Sequence, residues 1–313
     1  MRQEDTPYAA VVGAANLDVL GFSAKPLIPR DSNPGRVRFG AGGVGRNIAD
    51  NLVRLGARTE LVTALPGGVA GDFIRRECGK SGIGLEHSLR LAGEETSAYV
   101  ALMDDGGDMA LAVSDTNAVS RIDGAYLRSK SPLLEGAAVI AAEANLSVEA
   151  LAHLAAALPG KVLCVDAVSV TKCRRLRPLI GGIHTLLMNR LEAEELCGKS
   201  LHGRAAVGKA GEWFIREGCR RIFITLGAEG VYWRSGEEGG FHSPPKTPVA
   251  NATGAGDAFT AGVVFASMHG FSPGDTVRFA AAAAALTVTA ESPVNPSLSR
   301  EGVERLAGIL ADG

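Results

Sequence analysis

The segment NATGAGDAFTAG, Asn251 to Gly262, sets three small residues and a carboxylate side by side. Gly254, Ala255 and Gly256 lead into an apolar run that reads as a helix, with Asp257 at its start. Free N–H groups and the helix dipole at such a start favour an anion. A carboxylate in the same turn is then a candidate general base. Phosphoryl transfer asks for both: charge stabilisation on the transferred group and a base on the attacking hydroxyl. The plain structural reading is a glycine-assisted turn with Asp257 as a helix-start residue. The Gly-Lys-Ser/Thr spelling of a P-loop and the protein-kinase motif set are both absent from the chain.

Other residue groups could serve the same chemistry. GAGGVGRN, Gly40 to Asn47, spells G-x-G-x-x-G, but it follows a polar, proline-containing stretch and not the first strand. A nicotinamide site is therefore a poor fit. A backbone that approaches a ligand closely fits better, with Asn47 on the first helical turn and Ile48, Leu52 and Leu55 turned to the core. Asn16 and Asp18 end an early apolar run, and an amide with a carboxylate two residues on suits vicinal hydroxyls; turn formation is the simpler role. Asn189 and Glu192 share one face of a starting helix. They suit a hydrated Mg²⁺ carried on phosphates, or a capping pair with Asn189 as the cap. Thr225 and Gly227 in TLGAEG could meet a nucleotide at a strand end, or form a hairpin turn. The basic run KCRRLR, from Lys172, reads as a solvated helix start or a phosphate contact.

These residues need a frame, and the apolar pattern supplies one. Runs such as YAAVVGAANLDVL, TELVTAL, GAAVIAAEA, KVLCVDAV, HTLLMN and RRIFITLG alternate with helical patterns. Unbroken apolar strands between helices predict an α/β fold with a mostly parallel sheet covered on both faces. Ligands in such sheets gather at the carboxyl ends of the strands. Two stretches break the rhythm: Gly21 to Gly43, rich in proline, and Thr96 to Ala118, a hairpin turning at Asp-Asp-Gly-Gly. They predict a small β-sheet lid built from about 19–42 and 96–118, within one domain spanning 1–313.

Composition narrows the partners. The 313 residues carry a formal net charge of -2, with 46% hydrophobic and 21% charged residues. Nothing in that balance calls for nucleic acid or an anionic membrane. Five scattered cysteines form no CxxC pair, which suits free thiols in a reducing cytoplasm. The N-terminal segment does not read as a secretory signal, and the alanine run near 280–286 is too weakly apolar to span a bilayer. The expectation is a cytoplasmic protein.

GAGGVGRNIADNLVRLG and NATGAGDAFTAG together resemble the two signature motifs of the ribokinase-like (PfkB) family of sugar and nucleoside kinases. The resemblance spans essentially the whole chain. It implies a ribokinase-like three-layer sandwich and ATP with Mg²⁺. DSNPGRVRFGAGGVGRN, ETSAY, VDAVSVTKC, IHTLLMNRLEAEEL and NPSLS are similar to the branch that phosphorylates the 5′-hydroxyl of pseudouridine. By that resemblance Asp257 is the base, and Gly254, Ala255 and Gly256 form the anion hole. Asn16, Asp18, Gly42, Gly43, Asn47 and Glu143 would bind the nucleoside. Asn189, Thr225, Gly227, Thr253 and Lys172 would meet ATP, and Asn189 with Glu192 would organise Mg²⁺ through water. Asp31, Asn33, Thr96, Ser97 and Asn117 are the lid candidates for reading the base N1–H. Many relatives pair their lids, which implies a homodimer. Val44 stands where ribokinases carry a lysine, which argues against free ribose. Asn251 replaces an aspartate of a potassium-linked loop, and activation by a monovalent cation stays open.

Overall fold

The computed structural model describes residues 6–93, 96–158 and 160–309. Glu95 of the ETSAY segment lies outside them. The strands in chain order are β1 (Tyr8–Val12), β2 (Asn16–Ser23), β3 (Gly35–Gly42), β4 (Arg58–Val62), β5 (Ala64–Leu65), β6 (Leu89–Arg90), β7 (Ala98–Met103) and β8 (Met109–Asp115). They continue with β9 (Val139–Glu143), β10 (Leu163–Asp166), β11 (Thr185–Asn189), β12 (Arg221–Thr225), β13 (Val231–Ser235) and β14 (Glu238–His242).

The main sheet runs β14-β13-β12-β11-β10-β9-β1-β4. It is parallel from β12 to β4, and β13 and β14 add an antiparallel edge. Along β1, Ala10 and Val12 join the core on one face while Ala9 and Val11 join the core on the other. A strand buried on both sides has no polar face to show, so it reads as an unbroken apolar run. The chain passes from β1 to its neighbour β4, then crosses back to β9 on the other side. That reversal opens a crevice at the carboxyl ends of β1 and β9, the topological position where open α/β sheets hold ligands.

The first apolar run is two strands and not one. It breaks at Gly13–Ala15, where the chain leaves the main sheet, and β2 begins a second sheet ordered β3-β2-β7-β8. A period-two pattern carries no mark of a change in partner, so the run looks continuous in sequence. In the second sheet β2 pairs antiparallel with β3 and parallel with β7, and β7 pairs antiparallel with β8. Asp104 closes the β7–β8 turn by accepting from the N–H groups of Gly106 and Asp108, both at 2.9 Å. The pairing register puts Val37, Phe39, Val100, Leu102, Leu111 and Val113 on one face, and all six are exposed.

The alanine run belongs to the helix Pro273–Thr287, which packs on the helix Ala255–Met268. A Cβ at Gly262 would lie 2.7 Å from the Ala280 Cα, so small residues set that close approach. No described helix is long and apolar enough to cross a membrane.

Candidate active site

At the crevice, the ends of β1 and β9 are locked together. Glu143 is fully buried, and its Oε1 accepts from the Ala14 N–H at 2.6 Å. Its Oε2 accepts from the Asn145 N–H at 2.6 Å and the Asn145 amide at 2.5 Å. A Cβ at Gly13 would lie 2.7 Å from Glu143 Oε1, and one at Gly45 would lie 2.7 Å from the Gly13 carbonyl carbon. The glycines of GAGGVG thus let the helix Val44–Arg54 press against the end of β1. Gly43 caps that helix at φ 95°. A side chain there would strike the Ala14 carbonyl, its Cβ only 2.4 Å away. Burial pushes the Glu143 carboxyl up to about 7.

Asn16 and Asp18 open the second sheet beside this junction. The Asn16 amide donates to Asp18 Oδ1. Gly42 pairs with Asn16 across the strands, and a Cβ on it would fall 2.2 Å from Asp18 Oδ2. Burial raises Asp18 to about 6, against the pull of the nearby Arg46 guanidinium.

Asp257 sits in the first turn of the helix Ala255–Met268, whose cap is Gly254 at φ 84°. Its Oδ2 accepts from the Asn47 amide at 2.7 Å, joining two residues 210 positions apart. Burial and the neighbouring Asp166 push its carboxyl up to about 8, Glu143 adds to the rise, and Asn47 and Arg46 oppose it. Ala255 N–H makes a long 3.4 Å bond to the Ala252 carbonyl, and the first i to i−4 bond of the helix runs from Ala258 N–H to the Gly254 carbonyl at 3.0 Å. The N–H groups ahead of it are those a helix offers to an anion.

A pocket of about 240 Å³ collects Asp257 and Gly256 with Asn189, Glu192, Thr225 and Val44. Asn189 and Glu192 form a full capping box: Glu192 N–H donates to Asn189 Oδ1 at 3.0 Å, and Glu192 Oε2 accepts from Asn189 N–H at 2.7 Å. Capping and lining of the pocket are both realised by this pair. Burial lifts Glu192 to about 7. Among the described residues no three acids, histidines or cysteines converge into a metal cage. A hydrated Mg²⁺ on phosphates needs only one or two carboxylates; Glu192 lines the pocket with both oxygens accepting from Asn189 at 2.7 Å, so it would meet such an ion only through water. Thr225 ends β12 beside Asn189 in register, and Gly227 at φ 61° begins the short 3₁₀ turn Gly227–Glu229 that leads into β13.

The remaining expected residues do not line this pocket. Lys172 is bonded to Asn145 and lines a separate cleft of about 330 Å³ with Asn117 and Arg175, apart from Asn189 and Thr225. Asn33 accepts from Ile28 N–H at 2.8 Å, and Asp31 from Ser32 N–H at 2.7 Å, both in the exposed β2–β3 connection. Thr96 bonds Asp115, and Ser97 donates to the Ala15 carbonyl at 2.8 Å. Exposed Thr253 donates its N–H to Asn251 Oδ1 at 2.9 Å, and the Asn251 amide pins the loop to the Glu291 carbonyl at 2.8 Å.

Sequence reading missed Asp166, Thr260 and Arg46. Asp166 ends β10, lines the pocket with Thr260, and accepts from the Thr260 hydroxyl at 2.6 Å. It also accepts from the N–H of Val168 at 2.8 Å. Val168 holds φ 65°, a conformation that a β-branched residue rarely adopts and that concentrates at functional sites. An acid closing an apolar strand was the available signal for Asp166, the same one that marks Glu143.

Residues 6–300 match the model of the pfkB family of carbohydrate kinases. The chain is 40% identical to pseudouridine kinase of Escherichia coli (strain K12), over 96% of this chain and 95% of that protein. It is 32% identical to the uncharacterized sugar kinase YeiI of the same organism, over 97% of this chain and 84% of that one. Among solved structures, Arabidopsis thaliana ribokinase complexed with ribose and ATP superposes with a TM-score of 0.87 at 23% identity, covering 96% of this chain and 99% of that one. The fold is ribokinase-like, and the chain belongs to the pfkB family of carbohydrate kinases.

Proposed function

We propose that this kinase transfers the γ-phosphate of ATP to the 5′-hydroxyl of pseudouridine. The observation that carries the reading is the placement of Asp257: a half-buried carboxylate in the first turn of the helix Ala255–Met268, accepting from the Asn47 amide at 2.7 Å, and pushed up to about 8 by its surroundings. A base poised near the working pH is what proton abstraction from an alcohol requires. The 40% identity to a pseudouridine kinase, with matching coverage of both chains, favours that substrate over the other sugars and nucleosides of the family.

In this scheme Asp18 accepts from ribose hydroxyls, with Asn16, Asn47 and the bare backbone of Gly42 and Gly43 beside it. Glu143 supports this floor from beneath, because its oxygens are occupied by Ala14 and Asn145. Asp257 takes the 5′-hydroxyl proton as that oxygen attacks the γ-phosphorus in line. The N–H groups of Gly254, Ala255 and Gly256 face the charge that develops on the phosphoryl oxygens. Asn189, Thr225, Gly227 and Thr253 meet the nucleotide. Glu192 and Asn189 would hold Mg²⁺ through water, and the ion would neutralise phosphate charge. Lys172, in its separate cleft, is reassigned from the nucleotide to the nucleoside side.

The second sheet acts as a lid that excludes water, since an open site would hydrolyse ATP. Of the five lid candidates, Asn117 is the one that lines a cleft, and we assign it to the base N1–H. The exposed apolar face of that sheet is covered by a second copy of the chain, giving a homodimer. All five cysteines are free and buried, which fits a cytoplasmic enzyme. A panel of pseudouridine, uridine, ribose, adenosine and fructose 6-phosphate, assayed for ADP release with MgATP, tests the proposal. Preference for ribose or for a sugar phosphate would refute it.

A further inference from the structure

Arg46 is 6% exposed in the helix Val44–Arg54, deep enough that its charge must be compensated. Its Nη1 pairs with Asp50 at 2.8 Å, and its Nη2 donates to the Ala41 carbonyl at 2.5 Å and to Asn47 Oδ1. Asp50 is itself held by Arg54 Nε at 2.9 Å, and Arg54 Nη1 donates to the Pro296 carbonyl at 2.7 Å. The guanidinium therefore sits in a fixed cradle.

That cradle decides which way the Asn47 amide points. A guanidinium has donors and no acceptor, so it can meet only the amide oxygen. The amide N–H₂ must then face Asp257, where it donates to Oδ2 at 2.7 Å. Turned over, the amide would set its N–H₂ against the guanidinium and its oxygen against a carboxylate.

We propose that Arg46 is a positioning residue: it fixes the polarity of Asn47, so that Asn47 only ever donates, and thereby aims Asp257 and favours its ionised form. The row Asp50–Arg46–Asn47–Asp257 runs from buried Asp50 to the base. The groups that face Asp257 are Asp166 from β10, Glu143 from β9, and Asn47 and Arg46 from this helix. The two acids oppose ionisation, and Arg46 is the cation set against them. The inference rests on the proposed function only in taking Asp257 as the base.

The test titrates Asp257 in the full-length protein without substrate, by the carboxyl ¹³C shift of labelled aspartate, assigned with Asp257→Asn. Arg46→Met is expected to move the midpoint up by about one pH unit or more. Asn47→Leu should move it the same way, and the double variant should move it no further than Arg46→Met alone. Arg46→Lys keeps the charge but not the fork, so an intermediate upward shift is expected. If Arg46→Met does not fold, Arg46→Lys and Asn47→Leu decide the matter. A midpoint unmoved in the folded variants overturns the proposal. The acid limb of kcat/KM should follow the same shifts. Shifted titrations with no nucleoside turned over would leave the role of Arg46 standing and remove the functional reading. Turnover with unmoved titrations would do the reverse.

Discussion

Replacing Asp257 by asparagine should make the protein more stable while nearly abolishing its activity. The Asp257 carboxyl ionises near 3.8 in an unfolded chain and at about 8 in the fold. At pH 7 folding must therefore bind a proton that the unfolded chain has released. The gap between pH 7 and 3.8 is about three units at ~1.36 kcal/mol each, a ceiling of ~4 kcal/mol against the fold. Asparagine removes this cost and still accepts from Asn47, but its own N–H₂ needs a partner, which leaves a net gain of about 1–3 kcal/mol. For a chain of this size that is a rise in Tm of roughly 1.5–4.5 °C. The sign gives a second signature. Because the folded pKa is raised, the stability tied to this group is whole below about pH 4 and is lost as pH climbs to about 8. Calorimetric scans of both proteins at pH 5.5, 7 and 8.5 should show the advantage of Asp257→Asn growing with pH and then levelling. Turnover should fall by about 10²–10⁴-fold, the usual contribution of a general base, with nucleoside affinity retained. A variant less stable than the parent at pH 7, or an advantage that ignores pH, would show that Asp257 takes up no proton on folding.

Two further outcomes follow from the packing. Gly42→Ala would drive its Cβ to within 2.2 Å of Asp18 Oδ2 and displace that carboxylate. Steady-state kinetics should show KM for the nucleoside raised about tenfold or more with a smaller change in kcat; an unchanged KM would separate Asp18 from substrate. Leu111→Asp places a charge in the exposed apolar face of the second sheet. Sedimentation equilibrium should show a dimer for the parent and a monomer for the variant, and a monomeric parent at micromolar concentration would remove the lid pairing.

The scaffold was legible because the parallel strands are buried on both faces, which writes them as apolar runs between helices. The break at Gly13–Ala15 was not, since it depends on a change of hydrogen-bond partner and not on a change of pattern. Asn189 and Glu192 stood in sequence as either a cap or a ligand pair, and the fold makes the cap at the edge of the pocket itself. The glycines of GAGGVG gained their reason only from contact with Gly13. Arg46 and Asp166 escaped notice for a related cause. Arg46 bears on a carboxylate through a residue 210 positions away from it, and Asp166 is bonded to a hydroxyl 94 positions away. Spacing along the chain cannot display a pairing of that range.

The most direct measurement is kcat/KM for pseudouridine and for uridine under the same MgATP. Pseudouridine has an N1–H donor where uridine has its glycosidic bond, and a site built to bond that donor rejects a ligand lacking it by roughly 10⁴–10⁵-fold. A large preference for pseudouridine is expected, reduced in Asn117→Ala. Equal values for the two nucleosides would contradict it.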